Sequence, residues 1–337
     1  MLVQKNISLL PYNTFGIDVI AENLVIVKTF QDFQTLIQNP IINENKLILG
    51  GGSNILLTKN VEGLVIINQL RGIDKIDEND DHVWLKVMAG EVWHDFVLYA
   101  IEHQYGGIEN LALIPGCVGA APMQNIGAYG AEVKDTIESV EFWHWEEQQF
   151  KVFDKETCEF GYRESIFKKN FKGKIFITSV VFKLNKKHEL NTDYGAIQSQ
   201  LKTMGISLPS IKSIANAVIE IRQSKLPNPK LIGNAGSFFK NPTVSQNQFK
   251  TLRTHYPEMP HFQISTNEFK IPAGWLIEQC GWKGKRVGNT GVHANQALVL
   301  VNYGGATGSE IFKLSEKIID SVLQQFEIQL EREVNIW

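Results

Sequence analysis

From Leu111 to Ala131 the chain runs for twenty-one residues without a charged side chain. This uncharged loop, LALIPGCVGAAPMQNIGAYGA, contains four glycines and two prolines, and much of the rest is alanine. Glycine and proline weaken helices and strands, so the composition predicts irregular backbone. Backbone without side-chain bulk can approach a ligand closely, and its N–H groups can then point at an anion.

A second stretch of small residues, Gly50–Asn54 with the sequence GGGSN, lies between two apolar runs. We call it the glycine turn. It does not match the dinucleotide fingerprint G-x-G-x-x-G, because Ile55 stands at the third glycine position, and it has no Walker A lysine. A tight turn between strands is one interpretation. Ser53 and Asn54 favour the other, since both offer hydrogen bonds to a phosphate. Two such segments together predict one large ligand that carries phosphate.

Gln124 and Asn125 are the only amide side chains of the uncharged loop. Each carries donors and acceptors, which suits the edge of a heterocyclic ring. Long uncharged loops inside compact domains are usually functional. A buried connection packed by alanines is the alternative, although so many glycines would then add conformational entropy cost without a purpose.

Three further segments hold residues with possible chemistry. Arg163 could bind a carboxylate through two parallel hydrogen bonds, or pair with Glu164 or another surface acid. Ser237, between small residues and two phenylalanines, could donate a proton, or its hydroxyl could satisfy nearby backbone in a turn. Glu331 and Glu333 share the polar face of an alternating tail, which by itself indicates a solvated edge strand.

Composition and charge exclude several classes of protein. The formal net charge is −3 and the lysine pairs are short, which argues against a nucleic-acid surface. No apolar run reaches the ~18 residues of a membrane helix, and the first residues lack the apolar block of a secretory signal. Three widely separated cysteines and eight histidines without an HExxH motif argue against a disulfide framework or a metal site. We therefore expect a cytoplasmic protein without metal, and the sequence indicates no obligatory protein partner.

Hydrophobic periodicity predicts a mixed α+β chain without internal repeats. Thr29 and Asp32 resemble a capping pair that opens a helix, and Ser210 is expected to cap another helix that stops before Pro227. A polar break at 185–189 is a candidate boundary. The other expected elements are strands over 24–27, 47–49, 55–57, 64–67, 83–87, 139–145, 149–153, 175–184 and 297–301, helices over 92–105 (ended by Gly106-Gly107), 273–280 and 310–326, and an alternating strand over 326–336.

Taken together, these segments resemble the UDP-N-acetylenolpyruvoylglucosamine reductases of bacterial cell-wall synthesis. The resemblance spans nearly the whole chain in order and rests on Asn13-Thr14-Phe15, Leu49–Asn54, Ile114-Pro115-Gly116, Gln124–Gly130, Tyr162-Arg163, Lys225-Leu226-Pro227, Gly233–Pro242, Ala273–Ile277 and Leu330–Val334. Tyr194 and Lys225 occur together, which indicates the longer subtype of the family.

The resemblance implies an FAD-binding fold of the vanillyl-alcohol-oxidase (PCMH) type in two subdomains, plus a smaller α+β substrate-binding domain. Residues 1–190 would bind FAD, with a split near 65–70, residues 200–320 would bind substrate, and a strand within 326–337 would return to the FAD-binding region. The implied cofactor contacts are Gly50, Gly51, Gly52, Ser53, Asn54, Pro115, Gly116, Gly119, Ala120, Gln124, Asn125, Gly127 and Tyr129.

The implied reaction has two steps. NADPH reduces non-covalently bound FAD and leaves; a hydride then passes to the enolpyruvyl group of the UDP-sugar. Ser237 matches the family's proton donor, Arg163 the cation that holds the substrate carboxylate, and Glu333 the acid that helps polarise it. The residues that would hold the diphosphate and sugar are Tyr194, Arg222, Lys225 and Asn241. The resemblance thus implies that the tail folds back toward the flavin.

Two other functions stay open at this point. One is another FAD oxidoreductase of the same fold, such as a sugar or hydroxy-acid oxidase, although the glycine turn has no histidine for covalent flavin attachment. The other is a catalytically silent module that binds a UDP-sugar or a nucleotide. Peroxide formation would indicate the oxidase, and a protein that stays colourless with added FAD would indicate the silent module.

Overall fold

The computed structural model describes residues 2–337. Within them, no helix combines the length and apolar character that crossing a bilayer requires. The helices of the described residues are α1 Phe30–Ile37, α2 Trp93–Glu102, α3 Gly195–Thr203, α4 Ile211–Lys225, α5 Gln246–His255, α6 Ala273–Gln279 and α7 Gly308–Phe326.

Short strands alternate with these helices, which confirms the predicted α+β class. The strands are β1 Gln4–Ser8, β2 Ile20–Val27, β3 Lys46–Leu49, β4 Ile55–Leu56, β5 Val61–Asn68, β6 Ile73–Glu78, β7 His82–Met88, β8 Gly127–Ala128, β9 Ala131–Glu132, β10 Ile137–His144, β11 Gln149–Asp154, β12 Ile175–Asn185, β13 Gly233–Ser237, β14 Thr243–Ser245, β15 Phe262–Ser265, β16 Glu268–Lys270, β17 Arg286–Val287, β18 Thr290–Val292, β19 Val299–Asn302 and β20 Asn335–Ile336.

The chain divides into two compact units. The first comprises the residues up to Ile7, Ala21–Gly51 and Val61–Gln223. The second comprises Ser8–Ile20, Gly52–Asn60 and Ser224–Trp337. The ranges 1–190, 200–320 and 326–337 are predicted to bind the cofactor, to bind the substrate and to return to the cofactor region. This functional division stays a prediction.

The first unit contains two sheets, and the earlier one has the strand order β1-β2-β5-β3. Its strands β2, β5 and β3 are parallel, as expected for strands linked by crossovers. Helix α1 makes one such crossover and begins at the predicted capping box, in which the Thr29 side chain accepts from the Asp32 N–H. Phe33 and Leu36 of α1 are buried in the core of this sheet.

The later sheet of the first unit is antiparallel, with the order β11-β10-β12-β7-β6. Helix α2 buries Trp93 and Phe96 against it, and both rings contact Phe182 of β12. The uncharged loop follows α2 and is attached to its first turn. There the Trp93 N–H donates to the Gly116 carbonyl at 3.0 Å, and Trp93 Nε1 donates to the Leu111 carbonyl at 2.9 Å. The core of this sheet therefore holds the loop in place.

The second unit is built on the sheet β13-β19-β18-β17. Helix α7 packs against β18 and β19 and begins at a capping box formed by Thr307 and Glu310. A smaller sheet has the order β14-β16-β15, and β20 pairs in parallel with β4. The glycine turn ends in this unit, because β4 follows directly after Asn54.

Two expected elements differ from the structure. The helix expected over 92–105 ends at Glu102, because Gln104 has a φ of 58° and the Gly106 N–H bonds to the Asn185 carbonyl. The tail expected as one strand over 326–336 is wrong: Phe326 belongs to α7, and only Asn335–Ile336 form a strand. The alternation nevertheless gave the buried positions correctly at Phe326, Ile328, Leu330 and Val334.

Candidate active site

The first two residues of the glycine turn, Gly50 and Gly51, lie beside the uncharged loop within the first unit. A Cβ added to Gly51 would lie 3.1 Å from the Gly116 Cα, and one added to Gly50 would lie 3.1 Å from the Cys117 Cβ. Such distances are tighter than ordinary van der Waals contact, so side chains here would push the segments apart. The glycine turn also connects β3 to β4, so it is a turn between strands as well as a neighbour of the uncharged loop.

Gly52 is required by its backbone geometry within the second unit. Its φ is 58°, and a Cβ at this position would overlap the Tyr12 carbonyl. The Gly52 carbonyl in turn accepts from the Thr14 N–H at 3.0 Å. The glycine thus holds the turn in a conformation that side chains rarely adopt.

The N–H groups of these segments differ in their availability. Across residues 2–337, the N–H groups of Gly52, Ser53 and Gly116 donate to no other group of the chain. Those of Gly119 and Ala120 are used within the protein, since they donate to Ala89 at 2.8 Å and Cys117 at 2.9 Å. Backbone N–H groups without a partner, in uncharged turns, are suited to bind a pyrophosphate. The residues present therefore fit the dinucleotide cofactor that the resemblance implied.

The second half of the uncharged loop is fixed by the Asn125 side chain, which is fully buried. Its Nδ2 donates to the Gly161 carbonyl at 3.0 Å, and its Oδ1 accepts from the Lys134 N–H at 3.1 Å. The Asn125 amide therefore ties the loop to the segment before Arg163. Gln124 and Pro115, also predicted to contact the cofactor, are half-buried and exposed, respectively.

Arg163 lies against the same loop. Its Nη2 donates to the Gly127 carbonyl at 2.6 Å, and a Cβ on Gly127 would lie 3.1 Å from the Arg163 Nη1. Arg163 has a φ of 56°, and Asn125 and Tyr129 have φ values of 45° and 50°. Non-glycine residues in this region carry strain of about 1–3 kcal/mol each and concentrate at functional sites.

Arg222 and Tyr194 approach the loop at Tyr129. The Tyr129 and Tyr194 rings meet edge to face with centroids 5.4 Å apart, and Arg222 bonds to Tyr129 through its side chain. Burial lowers the pKa of Arg222, and the positive charge of Arg163 lowers it further. Two guanidinium groups held near each other form a site suited to an anionic ligand. Tyr194 itself is 44% exposed, as a residue that contacts a bound ligand would be.

Ser237 is the last residue of β13 in the second unit and pairs with Val299 of β19. The following Phe238 and Phe239 are buried, whereas Ser237 is half-buried. Among the described residues, the Ser237 hydroxyl bonds to no other group of the chain. The alternative of a turn hydroxyl that satisfies nearby backbone is therefore wrong, and the hydroxyl is free to donate.

Glu333 is joined to the residue after Ser237. Its N–H donates to the Phe238 carbonyl at 2.8 Å, and its carbonyl accepts from the Asn54 Nδ2 at 3.5 Å. Within the second unit, three predicted site residues, Ser237, Glu333 and Asn54, are thus linked through the backbone of the tail. Glu333 is half-buried, so the solvated edge strand expected from its sequence does not describe it.

The remaining predicted substrate residues, Lys225 and Asn241, are placed differently. Lys225 is exposed at the last residue of α4. Asn241 is half-buried, and its Oδ1 accepts from the Ala273 N–H at 2.9 Å at the start of α6. Neither bonds to the Ser237 hydroxyl.

His94 also contacts the uncharged loop. It lies in the first turn of α2, and its Nδ1 accepts from the Leu113 N–H at 3.0 Å. The Leu113 carbonyl accepts from Arg222 Nε at 3.2 Å. A lone histidine in a helix has no motif that would identify it, so only the fold shows this contact.

Two family models and several full-length relatives match this chain. A model for an FAD binding domain matches residues 22–151, and a model for the C-terminal domain of UDP-N-acetylenolpyruvoylglucosamine reductase matches residues 227–337. The reductase of that name from Flavobacterium johnsoniae is 52% identical over 337 residues and all of both chains. The one from Pseudomonas aeruginosa is 42% identical over 99% of both chains.

A solved structure agrees with the sequence relatives. The crystal structure of UDP-N-acetylenolpyruvylglucosamine reductase (MurB) from Thermus caldophilus matches with a TM-score of 0.70 and 26% identity, over 100% of this chain and 99% of that one. The match includes both compact units, and it supports the FAD-binding fold with an added α+β region that the resemblance implied. The chain belongs to the UDP-N-acetylenolpyruvoylglucosamine reductase family.

Proposed function

We propose that the chain catalyses the NADPH-dependent, FAD-mediated reduction of UDP-N-acetylenolpyruvoylglucosamine to UDP-N-acetylmuramate, a step of peptidoglycan precursor synthesis. The observation that carries the proposal is 52% identity over the full length to a reductase of that name. The glycine turn and the uncharged loop support it, because they offer uncharged backbone N–H groups of the kind that suit a pyrophosphate.

FAD would be held by backbone in both segments, with no covalent bond. Gly116 offers an N–H without a partner in the first unit, and Gly52 and Ser53 offer theirs in the second. The bound cofactor would supply hydride transfer between NADPH and the terminal carbon of the enolpyruvyl group. The Gln124–Tyr129 stretch would contact the edge of the flavin ring. These contacts remain our proposal for each residue.

Ser237 would complete the reaction by donating its hydroxyl proton to the second enolpyruvyl carbon. Hydride and proton together saturate the double bond, and Ser237 would regain a proton from solvent; NADP⁺ would already have left after the first step. Arg163 would bind the substrate carboxylate, whose neighbouring carbon gains negative charge before protonation, and Glu333 would help to polarise the same group. Fixed charges and donors aimed at developing charge typically change rates by ~100- to 1000-fold each.

The UDP moiety would be bound by residues that carry positive charge or hydrogen-bond donors. Arg222 is half-buried beside Tyr129 in the first unit, and the Tyr194 ring meets the Tyr129 ring edge to face. Lys225 would act as a point charge on the diphosphate and Asn241 would bind the sugar. We further propose that the enzyme works in the cytoplasm on this substrate and NADPH, without nucleic acid or an obligatory protein partner.

The purified protein tests the proposal directly. We expect a yellow protein with a flavin absorption spectrum that NADPH bleaches and that UDP-N-acetylenolpyruvoylglucosamine restores, with UDP-N-acetylmuramate as the product. Peroxide in place of that product would indicate an oxidase of the same fold. A protein that remains colourless after addition of FAD would contradict the proposal and favour a binding module.

A further inference from the structure

The first turn of α2 holds the start of the uncharged loop at three points. Trp93 supplies two of them, through its backbone N–H to Gly116 and its indole N–H to Leu111. The third is the bond in which His94 Nδ1 accepts the Leu113 N–H. Only this third bond depends on a protonation state, because a backbone N–H cannot accept and Nδ1 must therefore carry no proton. The proton of neutral His94 is thus on Nε2.

Leu113 links His94 to Arg222. Its φ is 58°, a conformation unfavourable for leucine, and both of its backbone polar groups are bound by side chains. His94 accepts its N–H, and Arg222 Nε donates to its carbonyl at 3.2 Å. The two bonds hold the N–H and the carbonyl of the same residue. A displacement of the Leu113 N–H therefore moves the Leu113 carbonyl as well.

Few charges act on the His94 ring. Asp95 of α2 favours the protonated form and Arg222 of α4 disfavours it, while burial is the largest effect and lowers the pKa of His94. Glu109, on the turn packed against α2, directs its Oε2 to the Gly107 N–H at 2.6 Å. The neutral ring that the hydrogen bond requires is therefore also the form that its surroundings favour near neutral pH.

We propose that neutral His94 is a positioning residue, which through Leu113 sets the place of Arg222 and thereby the affinity for the diphosphate of the substrate. The inference rests on the proposed function for its substrate. Protonation of Nδ1 would set an N–H against the Leu113 N–H, release the strained residue and displace the Leu113 carbonyl that orients Arg222. Substrate affinity should then fall in acid while reduction by NADPH continues.

Two substitutions separate the acceptor from the titration. His94→Asn keeps an oxygen acceptor near the Nδ1 position and cannot titrate, whereas His94→Leu keeps the size and loses the acceptor. At pH 8 we expect His94→Leu to raise the KM for the enol ether about tenfold, with His94→Asn near wild type. In acid, below the ordinary pKa of histidine (~6.5), the KM of wild type should rise and that of His94→Asn should stay flat. His103→Leu, at the other end of α2, is the matched control and should leave the KM unchanged.

A second measurement does not need turnover and remains available if His94→Leu fails to fold. In holoenzyme labelled with ¹⁵N-leucine and ¹⁵N-histidine, the Leu113 amide resonance should follow the titration of His94, and it should not follow pH in the Asn variant. An unprotonated Nε2, or a Leu113 resonance that ignores His94, would overturn the inference. Equal KM values for wild type and His94→Leu would do so too. Failure of the proposed function would instead show as wild-type enzyme that does not turn over this substrate.

Discussion

The N–H of Glu333 donates a 2.8 Å hydrogen bond to the carbonyl of Phe238, the residue that follows Ser237. Arg332 pairs with Phe239 in an antiparallel bridge, and the Lys240 N–H donates to the Glu331 carbonyl at 2.9 Å. The tail is therefore held along the residues that follow Ser237, although almost one hundred positions separate them in sequence. A carboxylate and a free hydroxyl are set by the same short stretch of backbone pairing.

Glu333→Gln tests the role of that carboxylate. We expect flavin reduction by NADPH to stay near the wild-type rate and reoxidation by the enolpyruvyl substrate to slow by about 100-fold, because the role proposed for this charge belongs to the second step. Stopped-flow absorbance of the flavin measures the two half-reactions separately. Equal losses in both would remove Glu333 from the proposed role.

Glu331→Gln is the matched control for this measurement. Glu331 lies two residues before Glu333, is exposed, and forms an ion pair with Lys240. The Glu331 side chain is 69% exposed, so solvent screens its charge, whereas the Lys240 side chain is only 11% exposed. Both half-reactions should therefore keep their rates. A slow Glu331→Gln enzyme would show that general charge on the tail, and not the Glu333 carboxylate, controls reoxidation.

Ser237→Ala should separate the half-reactions more strongly. Loss of a proton donor is expected to slow reoxidation by about 100- to 1000-fold and to leave reduction by NADPH intact. Because the hydroxyl bonds to no other group among residues 2–337, the unfolding free energy should change by less than about 0.5 kcal/mol. A large fall in thermal stability would mean that the hydroxyl has a structural partner, and the slow reoxidation would then lose its simple interpretation.

Gly51→Val tests whether the adjoining segments bind FAD. The added side chain would press on the Gly116 Cα, and overpacking of this kind costs about 1–3 kcal/mol. We expect the FAD dissociation constant to rise about tenfold or more, measured by flavin fluorescence on titration of apoprotein. Gly195→Ala is the control, since a Cβ there meets nothing within 4 Å and should leave FAD binding unchanged. Unaltered binding by Gly51→Val would place the pyrophosphate elsewhere.

The sequence predicted those parts of the fold that depend on neighbours in the chain. The capping box of α1 needs only Thr29 and Asp32, and the structure contains it. The predicted end of α2 at Tyr105 was wrong, because Gln104 takes the left-handed conformation before Gly106 and Gly107. In the tail, alternation identified the buried face, but strand pairing depends on a partner far away in sequence, which no local pattern reveals.

The same distinction applies to the site. Absence of bulk and charge identified the glycine turn and the uncharged loop, because composition is visible without coordinates. Contacts between a side chain and distant backbone were not visible: Asn125 bonds to Gly161, and His94 bonds to Leu113 nineteen positions away. The roles of Ser237, Arg163 and Glu333 rest on the family resemblance and remain predictions that the variants above test.

The three cysteines give a prediction about chemical reactivity. Burial raises the pKa of Cys158 to about 12 and that of Cys280 to about 11, and it raises the pKa of Cys117 as well. At pH 8, a thiol with a pKa of about 11 is thiolate in only about one molecule in a thousand, and thiolate is the reactive form.

With a disulfide reagent such as DTNB, we expect slow reaction of the native protein and rapid reaction of three thiols in guanidinium. Cys280 is half-buried and should react first, so Cys280→Ser should remove the fastest native phase. A native thiol that reacts as fast as free cysteine would contradict the packing around it.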